Sequence, residues 1–137
     1  MKIVPIEVNN FKELFNLWEA ASLHVASEAV EQSDFLKIMQ LNPETCLKVV
    51  IDNTIVASSL GTWNGRRAWV YHFAVHPDYQ RQNIGTALLN ETLRQLRTRG
   101  ATKVIVGVEQ NNQRAKQFYR NVGFEVMDDA ELMVKEV

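Results

Sequence analysis

Apolar and polar positions alternate from Lys2 to Val8, the period of a half-buried strand. Asn10 followed by Glu13 has the form of a capping box, after which Phe11, Leu14, Phe15, Trp18, Ala21 and Val25 recur at helical spacing. A second, short helix is predicted from about Ser33 to Leu41, stopped by Asn42-Pro43. Strands are predicted over Cys46–Ile51 and Thr54–Trp63, joined at Asp52-Asn53. Asn64-Gly65, both tolerant of positive φ, predicts a two-residue type I′ turn into a strand over Ala68–Val75, rich in aromatic and β-branched residues. A polar loop after Pro77 leads into an amphipathic helix from about Gly85 to Arg99, with Leu88, Leu89, Leu93 and Leu96 on one face and Gly100 suited to the C′ position. Lys103–Glu109 has the apolar run of a buried strand, Asn112 can cap a helix through Val122 that Gly123 ends, and Phe124–Met127 and Leu132–Val137 read as closing strands. The predicted order is βααβββαβαββ: mixed α/β (α+β), mainly antiparallel in front, with a strand–helix–strand unit behind.

Composition narrows the class without naming a chemistry. The 137 residues, 46% apolar and 23% charged, suit one globular domain over residues 1–137, and no repeat or Pro/Gly/Ser-rich linker divides them. No apolar run approaches the roughly 20 residues of a membrane helix, and Pro5 and Glu7 interrupt the first residues, so neither membrane association nor a signal peptide is expected. Cys46 is the single cysteine, which excludes a disulfide framework and a Cys-based zinc site; the three histidines, His24, His72 and His76, have no ligand-spaced partners, so no metal is expected. A cytoplasmic protein is the expectation.

A net charge of −1 weighs against a nucleic-acid binder, but the total conceals a pattern. Residues 1–65 carry −4, residues 66–124 carry +7 and residues 125–137 carry −4. The basic block either solvates helix faces or marks an anion site.

The stretch Val75-His76-Pro77-Asp78-Tyr79-Gln80-Arg81-Gln82-Asn83-Ile84-Gly85-Thr86-Ala87-Leu88-Leu89 bears on that choice. A strand runs into a turn holding Asn83 and Gly85, residues with little objection to unusual φ, and a helix begins at once. Backbone N–H groups gathered there, with the positive end of the helix dipole, can hold a phosphate. No GxxxxGK[ST] and no GxGxxG after the first strand occurs, which disfavours a P-loop or Rossmann site.

The stretch Gln80-Arg81-Gln82-Asn83-Ile84-Gly85 resembles motif A, [QR]xxGx[GA], of the GCN5-related N-acetyltransferase (GNAT) family. Asn112-Gln113-Arg114-Ala115-Lys116-Gln117-Phe118-Tyr119-Arg120-Asn121-Val122-Gly123-Phe124 is similar to the family's motif B, NxxAxxFYxxxGF, and the predicted element order matches the family's acyl-CoA N-acyltransferase fold over essentially the whole chain. One position departs: Asn83 stands where the family has its first Gly, and Asn is the residue that most readily replaces Gly in the left-handed region.

The resemblance implies acetyl-CoA as co-substrate and acetyl transfer to a primary amine, on a small molecule or a peptide, by direct attack on the thioester. It implies that Gln80, Arg81, Gln82, Asn83, Ile84, Gly85 and Thr86 hold the pyrophosphate and that Phe73, Ala74 and Val75 pair with the pantetheine arm. A backbone N–H near Phe73 would polarise the thioester carbonyl. Asn112 would bond the arm, Arg114 and Lys116 would face the anionic cofactor, and Tyr119 would protonate the departing thiolate. Homodimers are common in the family. The family's usual strand glutamate falls at Tyr71 here, and Arg66 to Val75 contain no carboxylate, so the base that deprotonates the acceptor ammonium is Glu109, His72 or a water chain. An alternative is a non-catalytic acyl-CoA-binding module on the same fold, and another is a phosphate-dependent protein that prefers ATP or NAD.

Other residues keep two readings. Asn112 can be simply an N-cap and Tyr119 a packed aromatic; Trp63, Trp69, Tyr71 and Phe73 can line an acceptor pocket or fill a core. Glu28, Glu31 and Asp34 can border the acceptor site or form a solvated helix end, and the acidic first half suits a cationic acceptor.

Overall fold

Five strand segments assemble into one sheet in which neighbours in sequence are neighbours in space. In the computed structural model, which describes residues 1–137, β1 (Lys2–Pro5), β2 (Cys46–Ile51), β3 (Thr54–Trp63) and β4 (Ala68–Val75) pair antiparallel in that order. β5 (Val104–Val106) joins β4 in parallel, a geometry that requires a crossover. The crossover is α3 (Ile84–Thr98). Helices α1 (Phe11–Ala20) and α2 (Glu28–Leu41) lie between β1 and β2 in the chain. Contacts divide the molecule into two compact units, Met1–Gly107 and Val108–Val137; the second contains α4 (Gln113–Val122). No helix is long and apolar enough to cross a membrane.

Within the first unit the sheet is covered on both faces, and for that reason the middle of β3 is buried at seven consecutive positions rather than alternating. On one face Phe11, Leu14, Phe15 and Trp18 of α1 and Phe35 and Met39 of α2 pack against Cys46, Ile55, Leu60 and Ala74. On the other, Ile84 and Leu88 of α3 meet Leu47, Val49, Val56 and Ala57, while Leu96 meets Ala68, Val70 and Ala101. Each buried Leu, Ile, Val, Phe or Met among them contributes about 1.5–3 kcal/mol by leaving water. Gly61 lets β3 approach the segment before β2: a Cβ there would stand 2.6 Å from the Thr45 carbonyl oxygen.

Several expectations are corrected. The capping box sits one turn earlier than Asn10 and Glu13. Glu7 caps a 3-10 turn and its N–H donates to Asn10 Oδ1 (2.8 Å), while the Glu13 carboxylate accepts from Ile55 N–H (2.9 Å). Helix α2 begins at Glu28, not Ser33, because Ser27 accepts from Val30 N–H and caps it. The two-residue turn with both residues left-handed is Asp52-Asn53 (φ 49° and 61°). The Asn64 turn is instead a four-residue loop, drawn closed by Asn64 Oδ1, which accepts from the N–H groups of Arg66 and Arg67. β5 ends at Val106, short of Glu109.

In the second unit Asn112 caps α4, its Oδ1 accepting from Ala115 N–H at 3.0 Å. Gly123 (φ 108°) ends it, with Phe124 N–H returning to the Tyr119 carbonyl. The two closing strands do not form: residues 124–137 carry no strand, and Val126, Met127, Leu132, Met133, Val134 and Val137 are exposed. Five acids fall in residues 125–137 and the apolar side chains among them stay exposed, so no burial offsets the cost of ordering the segment as a strand.

Candidate active site

β4 is interrupted where the chemistry was expected. Ser58 lies opposite Ala74 but Leu60 opposite Tyr71, so His72 and Phe73 share the place facing Ser59. This is a β-bulge, and His72 takes the left-handed conformation (φ 47°) that an extra residue requires. The bulge changes which residues face α1 and α2. Trp69 and Tyr71, paired with Thr62 and Leu60, lie on that face; His72 reaches it as well, and beyond the bulge Ala74 does so while Phe73 and Val75 pack toward α3.

His72 is held from three elements, its ring by two of them and its carbonyl by the third. Its Nε2 is 2.7 Å from Glu31 Oε1 of α2, and its ring meets the edge of Trp18 of α1 at 4.5 Å between centroids. Trp18 Nε1–H donates to Ser58 Oγ (2.9 Å), and Ser58 Oγ–H donates to the His72 carbonyl (2.8 Å). Glu31 Oε2 accepts from Ala26 N–H (2.9 Å). The Glu31 side chain is only 10% exposed; the His72 side chain keeps 24%. Trp69 and Tyr71 stack along the strand, with ring centroids at 5.9 Å and planes 6° apart.

After β4 the chain makes a 3-10 turn, Pro77–Tyr79, fixed by His76 N–H to the Val56 carbonyl and by His76 Nδ1 accepting from Asp78 N–H. Gln80 Nε2–H donates back to the Val75 carbonyl. Arg81 (φ 64°) and Asn83 (φ 61°) are both left-handed, and α3 starts immediately behind Asn83. The sequence assigned unusual φ to Asn83 and Gly85. Asn83 takes it; Gly85 is helical, and Arg81 takes the second left-handed position at a cost of about 1–2 kcal/mol. No side chain caps α3 and its first turn holds no acid, while Ile84, buried beneath, anchors the turn to the core. Arg81, Gln82, Asn83 and Thr86 are exposed.

The basic block is thinner than its charge total implies. Arg94 is bonded to Glu91, whose carboxyl it holds below the usual carboxylate range, and Arg99 reaches Glu44 at 2.8 Å. Both belong to the helix surface rather than to an anion site.

β5 pairs with β4 at Ala68–Val70 only, and β4 runs on beside β3 to Val75, so Phe73, Ala74 and Val75 lie past the parallel pairing. In the second unit Glu109 is exposed and lies beyond the end of β5, its carbonyl accepting from Asn112 N–H. Lys116 Nζ donates to the Gln110 carbonyl. Burial pushes the Tyr119 hydroxyl up to about 12, and its ring meets Phe118 and Phe124 edge-on at 5.2 and 5.5 Å.

The sequence leaves Glu31 between an acceptor-side carboxylate and a solvated helix end, marks Trp18 only as part of an apolar stripe, and gives no sign of Ser58. The signal for Glu31 was present: it stands four and eight residues ahead of Phe35 and Met39, the buried stripe of α2.

Mixed sheet, crossover helix and the turn between β4 and α3 together define the N-acetyltransferase class of α/β fold. The chain belongs to the acetyltransferase (GNAT) family, whose model matches residues 11–124, and is an enzyme of the N-acetyltransferase class. An acetyltransferase of Yersinia pestis (strain Pestoides F) is 29% identical over 128 residues, 93% of this chain and 90% of that protein. The fold is similar to that of the ribosomal-protein-S18-alanine N-acetyltransferase from Escherichia coli, with a TM-score of 0.76 and 24% identity over 90% of this chain and 77% of that one. It is similar also to PaiA N-acetyltransferase from Thermoplasma acidophilum in complex with coenzyme A, with a TM-score of 0.78 and 19% identity over 95% and 94% of the two chains.

Proposed function

We propose that the protein transfers the acetyl group of acetyl-CoA to a primary amine by direct attack of the amine on the thioester. The observation that carries this reading is the turn between β4 and α3, where left-handed Arg81 and Asn83 lead into a helix start free of a side-chain cap and of acids. Such a turn aims backbone N–H groups into one concavity, and the helix end adds partial positive charge; a pyrophosphate satisfies both. The donor set of Gln80 to Thr86 therefore suits the diphosphate of coenzyme A, and the exposed Arg81 side chain adds a full charge beside it.

When bound, acetyl-CoA supplies an acetyl thioester. Phe73, Ala74 and Val75, past the β5 pairing, are assigned to the pantetheine arm, with a backbone N–H near Phe73 polarising the thioester carbonyl. Asn112, Arg114 and Lys116 are assigned to the same cofactor from motif B. Tyr119 keeps its proton throughout the neutral range and offers it to the departing sulfur. Between the two side chains considered as base, the geometry favours His72, whose ring is held by α1 and α2 and whose carbonyl is held by β3, over the exposed Glu109. The exposed Tyr71 stacked on Trp69 beside His72, together with the net −4 of residues 1–65, supports a cationic acceptor.

Calorimetric titration tests the cofactor assignment. Acetyl-CoA is expected to bind more tightly than ATP or NAD; tighter binding of either nucleotide would contradict it.

A further inference from the structure

The buried carboxylate of Glu31 has a purpose in this site that its place on a helix does not require. A carboxylate taken from water needs partners, and Glu31 has one for each oxygen: Ala26 N–H on Oε2 and the His72 ring on Oε1. The bulge that brings His72 to it costs a left-handed residue on the strand, and Ser58 Oγ–H clamps the carbonyl of that residue. A left-handed non-glycine residue inside a strand persists only where its surroundings over-determine it. Here a helix carboxylate and an indole ring meet one imidazole, and a buried serine holds the backbone carbonyl of the same residue.

We infer that Glu31 is the positioning residue for His72, fixing the imidazole as the Nε2–H tautomer so that Nδ1 takes the proton from the acceptor ammonium. The tautomer belongs to the inference: with the Glu31 carboxylate as acceptor, the nitrogen 2.7 Å from it donates, and in the neutral ring the other nitrogen holds the lone pair. The groups against the ring are Glu31 from α2 and Trp18 from α1, of which Glu31 is the titratable one; Ser58 from β3 bonds the His72 carbonyl. In the reaction the ammonium loses one proton to Nδ1, and the free amine forms the C–N bond as the C–S bond breaks. The nitrogen sheds a second proton as the amide forms and the departing thiolate takes one up, so each turnover releases one proton. This inference rests on the acetyl-transfer reading and specifies its base.

The test uses the full chain and the amine on which it turns over best. His72→Asn, which retains tolerance for the left-handed position, and His72→Ala are expected to lose about 100-fold in kcat, the usual share of general base catalysis, with the KM for acetyl-CoA within twofold. Added imidazole should restore turnover to His72→Ala. Glu31→Gln is expected to cost about tenfold in kcat in the wild-type background and nothing further in His72→Asn. Nitrogen-15 NMR should give the Nε2–H tautomer for His72 in the wild type and a tautomer mixture in Glu31→Gln. Unimpaired kcat in folded His72→Asn overturns the inference while leaving acetyl transfer standing. A single Nε2–H tautomer retained in Glu31→Gln overturns the role of Glu31. No thiol release by the wild type with any amine removes the acetyl-transfer reading and this inference with it.

Discussion

His72 and Glu31, 41 residues apart in sequence, are joined at 2.7 Å because a bulge in β4 turns the imidazole toward the buried stripe of α2. Removing the carboxylate leaves the imidazole N–H and the Ala26 N–H without their acceptor. Glu31→Ala is therefore expected to destabilise the fold by about 1–3 kcal/mol, the cost of unsatisfied buried donors. Urea unfolding of the two proteins measures the difference.

The backbone at Asn83 makes a second prediction. Its φ of 61° is what the family's glycine accommodates, and Asn meets it with a short polar side chain. Asn83→Gly should keep stability within about 1 kcal/mol and bind acetyl-CoA at least as tightly, since it removes a side chain from the turn. Asn83→Val should lose about 1–2 kcal/mol and weaken binding, because a β-branched residue resists this conformation. Thermal unfolding and calorimetry report the two effects separately.

Tyr119 predicts a flat alkaline side. Burial raises its hydroxyl to about 12, so the group stays protonated well past the pH at which a free phenol ionises. Tyr119→Phe should lower kcat and leave acetyl-CoA affinity nearly unchanged. In the wild type no loss of kcat between pH 8 and about 10 should trace to this residue. A fall in that window which Tyr119→Phe abolishes would contradict the assignment.

Cys46 is buried against the Gly61 carbonyl, and desolvation raises its thiol to about 12. Its folded value exceeds its unfolded one, so its contribution is complete below about pH 9 and is lost as pH rises toward 12. Iodoacetamide should leave Cys46 unlabelled in the native protein at pH 8 and label it on unfolding. Mass spectrometry distinguishes the two outcomes.

How much of this was legible in the sequence depended on whether the signal was local. The helices and strands from β1 through α4 were legible from apolar patterning and stop signals, with α2 begun five residues late, and Asn112 and Gly123 mark the two ends of α4 by their own side-chain and backbone preferences. The left-handed Asn83 was legible for the same reason; Arg81 was not, because nothing in an arginine announces positive φ. The bulge at His72 and its pairing with Glu31 depend on strand register and on the seating of α2 against the sheet, which are properties of distant contacts. The closing strands failed for a related reason. Apolar content in residues 124–137 does not specify a partner edge, and its apolar side chains stay exposed.

The most direct test of acetyl transfer is thiol release from acetyl-CoA, followed with a thiol reagent across neutral, acidic and cationic primary amines. Release should depend on the amine and be greatest with cationic acceptors. Tight binding of acetyl-CoA with no release above hydrolysis for any amine would contradict acetyl transfer and leave a module that binds the cofactor without turning it over.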